Sequence, residues 1–218
     1  MKIIRLAIVL SVFVSNADGK VIDTIGYSLR QKPKLFVGLA SHNTFIDNQY
    51  ASVFGVRAGL NYNQRIRFGL GYFDLTNNSV ISDITFSENE LQYTTAAELY
   101  MHYFSLSAEY YLFVKYPWQV TVTPFNVAFG RAKYEYVKRP EQKKIFGPTE
   151  SLLFYQPEAS FQFNILKWLG VGTTAGYRFT LLRSMQQTQH LDAVAFSIDV
   201  KLSIDELFKD IMSHEFAE

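Results

Sequence analysis

Apolar and polar residues alternate with a period of two along most of this chain, from about Lys34 to Leu202. Between positions 50 and 64 the even positions are mostly apolar, as at Phe54 and Leu60, whereas the odd positions are small, polar or charged, as at Arg57. Successive side chains of a strand point to opposite faces, so each predicted strand has one apolar and one polar face. The two sheets of a β-sandwich enclose their apolar faces, so a sandwich would not place the charged face inside. The pattern therefore predicts a β-barrel whose apolar outer surface faces lipid.

Turn and loop signals divide the alternation into eight predicted strands, which predicts an all-β, eight-stranded antiparallel transmembrane barrel. The connections after strands two, four and six are short, and those after strands three, five and seven are long. Short turns face the periplasm in such barrels, so the long connections are predicted to be outer loops. We expect a bulge in strand five near Pro124 and Asn126. The predicted strands are 34–46, 50–62, 65–75, 97–116, 118–136, 151–165, 168–180 and 192–202, and the predicted long loops are 76–96, 137–150 and 183–191.

The two ends of the chain differ from this pattern. Residues 1–17 resemble a signal peptide: Lys2 and Arg5 precede an apolar stretch, and cleavage is predicted after Ala17. Residues 18–33 are expected to form a polar periplasmic lead-in without a clear period, and residues 34–203 the barrel. After residue 203 the apolar positions change to helical spacing. Residues 204–218 are therefore predicted to form a short amphipathic helix at the periplasmic rim, with a solvated tail as the alternative.

Composition excludes several classes of protein. The chain has no cysteine, which rules out disulfide bonds and thiolate metal sites. Loss of Lys2 and Arg5 with the signal peptide changes the formal charge from +1 to −1, which argues against a nucleic-acid partner. The many aromatic residues and the low charged fraction of 19% suit an exterior that faces lipid. No metal, cofactor or catalytic residue is assigned, and a monomer is expected.

Two sets of residues are predicted from the phases of the strands. The inward charged residues should form a hydrogen-bonded network that fills the lumen, because unpaired buried charges are costly. The predicted lumen network is Arg57, Arg67, Glu109, Lys115, Arg131, Glu158, Arg178 and Asp199. Aromatic residues near the strand ends should form girdles at the two membrane interfaces. The predicted girdle residues are Tyr62, Tyr72, Tyr100, Tyr116, Trp118, Tyr134, Trp168 and Phe179.

The segment from Tyr155 to Phe179 resembles a known family. Pro157-Glu158 opens its first strand, Trp168 follows Lys167 at the turn, and Gly-Tyr-Arg-Phe closes its second strand at 176–179. This is similar to the penultimate hairpin of the small, OmpX-like outer-membrane β-barrel proteins of the porin-like superfamily. The resemblance implies the barrel fold and the bacterial cell outer membrane. Such barrels often end on an aromatic strand that the assembly machinery recognises. Here about sixteen residues follow that strand, so recognition would be internal.

The sequence leaves four functional hypotheses open. The leading one is a side-chain-filled barrel with a structural or surface-interaction role, whose outer loops 76–96 and 137–150 meet lipopolysaccharide or an extracellular partner. The alternatives are a narrow pore for small polar solutes, an enzyme that modifies lipid A, and a soluble ligand-binding barrel, which would stay monodisperse without detergent. For the enzyme, the candidate residues diverge: His102 falls in the outward phase and His42 in the inward phase without an identifiable carboxylate partner. The other candidates are Ser41, Ser105 and Glu109.

Overall fold

The computed structural model describes residues 19–46, 49–76, 79–88, 91–138, 143–147, 149–182, 192–202, 207–208 and 210. These residues include the helix α1 (Gly19–Leu29) and eleven strands. The strands are β1 (Lys34–Ile46), β2 (Gln49–Tyr62), β3 (Ile66–Leu75), β4 (Ser79–Glu88), β5 (Leu91–Lys115), β6 (Trp118–Lys138), β7 (Lys143–Phe146), β8 (Glu150–Tyr155), β9 (Glu158–Asn164), β10 (Leu169–Leu182) and β11 (Ala193–Leu202).

The sheet closes into a ring of eight antiparallel positions, which confirms the predicted barrel. Seven positions are single strands, and the eighth is shared by β8 and β9, which both lie between β6 and β10. The ring closes where β1 pairs with β11 at Asn43/Phe196 and Thr44/Ala195. The Thr44 hydroxyl donates to the Val194 carbonyl oxygen at 3.1 Å and reinforces this closure.

Two of the predicted outer loops contain strands, so their assignment as loops was wrong. β4 pairs with the first part of β5 as a long hairpin, and β7 pairs with residues 135–138 of β6. β4 and β7 do not belong to the ring. They therefore do not need the strict alternation that contact with lipid imposes on the ring strands, and the alternation did not reveal them. A sequence signal was nevertheless present, because β4 is rich in β-branched and aromatic residues.

The predicted lead-in also contains regular structure. Residues 19–29 form α1, which contacts β3, where the sequence analysis expected no clear period. The predicted signal peptide lies outside the described residues, and so does most of the predicted C-terminal helix. Residues 207–208 and 210 are helical, and the Trp168 indole donates to the Asp210 carboxylate at 3.2 Å. Among the described residues, no helix has the length and apolarity needed to cross a membrane.

The outer surface of the ring is apolar, and the inside holds polar side chains. Phe161, Phe163 and Phe196 all point outward and are exposed. We call the end of the barrel with the long connections the outer side and the end with the short turns the periplasmic side, following the prediction from the sequence. On the outer side the apolar belt ends at a row of exposed polar residues that pair in register: Asp74, His102 and Arg131. On the periplasmic side it ends near Trp118. Residues 104–114 of β5 lie within this belt, close to the ~9–11 residues that a tilted membrane strand requires.

Two bulges change the phase of β5 and β6. The pairing shifts by one residue between Ala108 and Tyr110, opposite Pro124, where the sequence predicts a bulge, and again between Tyr111 and Phe113. A shift of one residue exchanges the two faces of a strand. Residues that follow a bulge therefore point to the face opposite to the one that uninterrupted alternation would give them.

Gly59 provides a test of close packing between strands. A Cβ at this position would lie 1.9 Å from the Phe68 carbonyl oxygen and 2.7 Å from the ring of Phe36, whereas a Cβ at Gly38 would meet nothing within 4 Å. We expect Gly59→Ala to destabilise the barrel by about 1–3 kcal/mol, the usual cost of overpacking. The matched variant Gly38→Ala should unfold at the wild-type urea concentration in detergent. Equal unfolding midpoints for the two variants would contradict the prediction.

The barrel lumen as candidate functional site

The outer half of the lumen is filled by an apolar cluster, which we call the outer plug. Its centre is three aromatic rings: Phe73 stacks on Tyr103 at 5.1 Å between ring centroids, and Phe154 meets Tyr103 edge-on at 4.8 Å. All three side chains are buried. The alternation along single strands does not predict this plug. Its members are Ala40, Ile46, Ala51, Val53, Phe73, Leu75, Ala97, Leu99, Met101, Tyr103, Ala128, Ala132, Tyr134, Leu152 and Phe154.

Below the plug, one glutamate joins two arginines. Glu109, 6% exposed, pairs with Arg57 through Oε1 and with Arg67 through Oε2, the second contact measuring 3.3 Å. Arg57 also donates to the Ser107 hydroxyl at 3.0 Å. The Arg67 guanidinium lies over the ring of Phe36 at 4.4 Å. A buried carboxylate that accepts from two cations is fully compensated, and the cluster fixes β2, β3 and β5 relative to one another.

A second polar group crosses the lumen between β1, β9 and β10. Arg178, 1% exposed, donates from Nε to the Gln156 side-chain oxygen at 2.9 Å, and Gln156 donates in turn to Glu158 at 2.5 Å. The Arg178 guanidinium also lies 4.6 Å from the centroid of Phe154, so this group touches the outer plug. His42 lies with Nδ1 3.7 Å from the Glu158 carboxylate. His42 therefore has the carboxylate neighbour that the sequence could not identify.

The structure places five of the eight predicted network residues in the lumen: Arg57, Arg67, Glu109, Glu158 and Arg178. Lys115 and Arg131 do not belong there and are exposed on the outside of the barrel. The bulges explain both errors, because each residue lies beyond a one-residue shift that exchanges the two faces. For Asp199 the structure describes only the backbone, which pairs with Gly172.

The predicted girdle residues divide in a similar way. Tyr134, 2% exposed, lies inside the barrel as part of the outer plug, because the same bulge near Pro124 exchanges the faces of β6. The other seven lie on the outside or at a rim of the barrel. At the periplasmic rim the Tyr116 hydroxyl donates to the Ile165 carbonyl oxygen at 3.3 Å. These seven are Tyr62, Tyr72, Tyr100, Tyr116, Trp118, Trp168 and Phe179.

The candidate catalytic residues do not form a usable site. His42 and Ser105 border the same internal void, whose volume of about 10 Å³ is barely that of one water molecule. His102 lies outside the barrel, and Glu109 is already paired with two arginines. Within the described ranges, no three histidine, aspartate or glutamate residues are grouped so that they could hold a metal ion.

The periplasmic half of the lumen holds a cavity of about 420 Å³. The outer plug and the two polar groups lie above it, and its mouth is at the end of the barrel with the short turns. The residues that border it include Arg57, Arg67, Glu109, Gln119 and Gln162. The lumen is therefore closed on the outer side and open on the periplasmic side.

Above the membrane belt, β5, β6 and β7 present a charged surface. Lys133 lies with Nζ 4.4 Å from the centroid of Phe146 and 5.7 Å from that of Tyr100. The Tyr100 hydroxyl donates to Glu135 at 2.9 Å. This hydrogen bond, together with desolvation and the charges of Glu135 and Glu98, raises the pKa of Tyr100 to about 12. Lys144 lies 3.4 Å from Glu135. We call Arg131, Lys133 and Lys144 the basic outer surface.

Comparison with known proteins gives relatives by structure alone. No protein-family model matches this chain. No curated protein has a matching sequence. The crystal structure of Neisserial surface protein A (NspA) is similar to this chain with a TM-score of 0.52 and 9% identity, covering 79% of this chain and 99% of that one.

Two further solved barrels match with lower scores. Ail, the attachment invasion locus protein of Yersinia pestis, has a TM-score of 0.43 and 12% identity, covering 78% of this chain and 96% of its own. The N-terminal β-barrel domain of Pseudomonas aeruginosa OprF has a TM-score of 0.43 and 11% identity, covering 78% and 98%. The closed ring, its apolar belt and the likeness to NspA together show that this chain has the fold of the small eight-stranded outer-membrane β-barrels, in agreement with the predicted location in the bacterial outer membrane.

Proposed function

We propose that this protein is a closed outer-membrane barrel that acts at the cell surface through the parts of β4 to β7 that extend beyond the membrane. The observation that carries the proposal is the outer plug, which fills the lumen at the level where β5 and β6 leave the belt. β5 has 25 residues, more than twice the ~9–11 that a membrane strand requires. The surplus forms a protruding ribbon with β4 and β6, and such a ribbon is suited to contact rather than to transport.

The chemistry of the basic outer surface favours lipopolysaccharide phosphates as the partner. Arg131 is exposed directly above the apolar belt, at the level where phosphorylated head groups would lie, and a guanidinium can donate two parallel hydrogen bonds to a phosphate. Lys133 is held beside it by the rings of Phe146 and Tyr100. Glu135, which pairs with Lys144, and Glu98, 3.3 Å from the Tyr100 hydroxyl, offset part of this charge. Arg131 and Lys133 are therefore the residues most available to an anion.

Charge reversal tests this proposal. The double variant Arg131→Glu with Lys133→Glu, in lipid nanodiscs, should bind purified lipopolysaccharide at least about tenfold more weakly, because charge-assisted hydrogen bonds contribute about 1.5–3 kcal/mol each. Binding should also fall with added salt. The control Lys167→Glu reverses an exposed charge at the periplasmic end and should leave binding unchanged. Equal affinity of the double variant and the wild type would reject lipopolysaccharide as the partner.

Two of the alternative functions have less support. A pore for polar solutes requires a continuous polar path, and the outer plug interrupts it with buried aromatic rings. A lipid A-modifying enzyme requires its histidine to reach a substrate, whereas His42 is buried and borders the small internal void. If the protein were such an enzyme, lipid A from cells that produce the folded barrel would show an altered mass.

A further inference from the structure

The cavity in the periplasmic half of the lumen has an exposed mouth and a buried floor. Three exposed residues lie at the mouth: Lys34 begins β1, and Gln64 and Lys167 belong to two of the short turns. Arg67, 8% exposed, and Glu109, 6% exposed, lie at the floor. Because the outer plug closes the other half of the lumen, a solute can enter this cavity from the periplasm but cannot cross the barrel.

Most of the charged side chains that border the cavity are cations. Among the described residues of its lining, four cations accompany one carboxylate: the cations are Lys34, Arg57, Arg67 and Lys167, and the carboxylate is Glu109. Glu109 accepts from both arginines, so one carboxylate serves two guanidinium groups at the floor. Attraction between charges is stronger in a partly enclosed site than in water, because the effective dielectric constant is lower. The lining therefore favours an anion, and most of all an anion with more than one negative charge.

The walls between the mouth and the floor offer hydrogen-bonding groups. Gln119 and Thr121 of β6 are buried there, and Ser160 and Gln162 of β9 border the same space. Side-chain amides and hydroxyl groups both donate and accept hydrogen bonds. The volume of about 420 Å³ is near the lower end of the usual range of small-molecule sites, about 300–1,000 Å³. The walls and the volume together suit a compact organic anion.

We propose that this cavity is a binding site for a compact organic di- or trianion of the periplasm, a polycarboxylate or a phosphate ester. A guanidinium has five N–H donors, so Arg57 and Arg67 retain Glu109 and donate to the second anion as well. Carboxylate and phosphate oxygens both accept paired hydrogen bonds from arginine, so the floor takes either head group. The site lies at the end opposite to the basic outer surface and does not depend on the proposed contact with lipopolysaccharide.

Isothermal titration calorimetry of the full chain, folded in a non-ionic detergent, tests the site. The probes are citrate and glycerol phosphate, and the neutral control is glycerol. We expect at least one of the two anions to bind at one site per barrel and to bind more weakly as salt is added, and we expect no saturable heat from glycerol. The anion that binds more tightly identifies the head group. No saturable binding of either anion up to millimolar concentration would overturn the proposal.

Gly38 allows the cavity to be filled without moving the strands. It borders the cavity, and a Cβ at this position would meet nothing within 4 Å. Gly38→Phe should therefore place its ring in the cavity and abolish binding of the anion, whereas Gly38→Ala should retain it. Far-UV circular dichroism verifies that both variants are folded. Wild-type affinity of the folded Gly38→Phe variant would place the anion outside the cavity and overturn the proposal.

A second pair of variants tests the charge at the floor. Arg67→Gln should bind the anion at least about tenfold more weakly, because it loses a charge-assisted hydrogen bond. The matched variant Arg65→Gln removes the same charge from the neighbouring turn, outside the lining of the cavity, and should bind like the wild type. Equal weakening by the two folded variants would indicate a general effect of surface charge and overturn the assignment of the floor.

Discussion

Replacing Glu109 with leucine should lower the free energy of unfolding of the barrel by about 3–5 kcal/mol, the cost of leaving a buried charge without its partner. Arg57 and Arg67 would both remain in the lumen without the carboxylate that now accepts from them. The measurement is equilibrium unfolding in urea with the protein in detergent, followed by circular dichroism. Far-UV spectra at zero urea establish that the variant starts from a folded barrel.

Two controls separate loss of the carboxylate from a general effect of substitution. Lys144→Ala breaks an ion pair whose lysine side chain is 65% exposed, and exposed pairs contribute only about 0–1 kcal/mol. The triple variant Arg57→Met, Arg67→Met and Glu109→Leu removes the whole charge cluster and should recover part of the lost stability, since apolar replacement of a complete buried ion group is often neutral. If Glu109→Leu and Lys144→Ala unfold at the same urea concentration, the cluster does not hold the lumen together.

Removing the three rings of the outer plug should open the barrel to ions. In the triple variant Phe73→Ala, Tyr103→Ala and Phe154→Ala, the stacked and edge-on contacts that cross the lumen are lost, and water can reach the polar groups below. We expect resolved single-channel steps in planar bilayers for this variant. For the wild type we expect no such steps, because its lumen is closed on the outer side.

The same experiment decides between a closed barrel and a pore. Each buried aromatic-to-alanine change costs about 3–5 kcal/mol, so the single variant Phe154→Ala serves as a less disruptive second test. A matched control removes an aromatic ring from the lipid-facing side at the same membrane level, Phe129→Ala, and should remain silent. Single-channel steps from the wild-type protein would contradict the closed lumen and support the narrow pore.

Alternation along single strands predicts which charged residues point into the lumen, but the contacts between them depend on how the strands are aligned. The inward positions of Arg57, Arg67 and Glu109 follow from alternation within their own strands, so the sequence could predict them. Their convergence on one carboxylate depends on how β2, β3 and β5 are aligned, and no local pattern specifies that register. The neighbour relation between His42 and Glu158 is less accessible still, because the two residues are more than one hundred positions apart and meet across the lumen.

The outer plug shows a different limit of sequence analysis. Leu99, Met101 and Tyr103 alternate with Glu98, Tyr100 and His102, so an apolar face is visible in the sequence. These residues lie on the same face of β5 as the inward Ser105 and Glu109, because no bulge separates them, so the alternation itself places them inside the barrel. The alternation does not tell that apolar side chains from several strands meet at this level and fill the lumen, because those contacts join strands that are distant in the chain.

The sequence by itself determined the eight ring strands and the lipid-facing side of most of them, because strand geometry converts a period of two directly into two faces. Only the tertiary structure decided where Lys115, Arg131 and Tyr134 point. The sequence predicts the bulge near Pro124 but not the phase of the strand beyond it, and the second bulge, between Tyr111 and Phe113, has no proline to mark it. It also decided that the lumen closes on one side, because the outer plug depends on contacts between residues far apart in the chain.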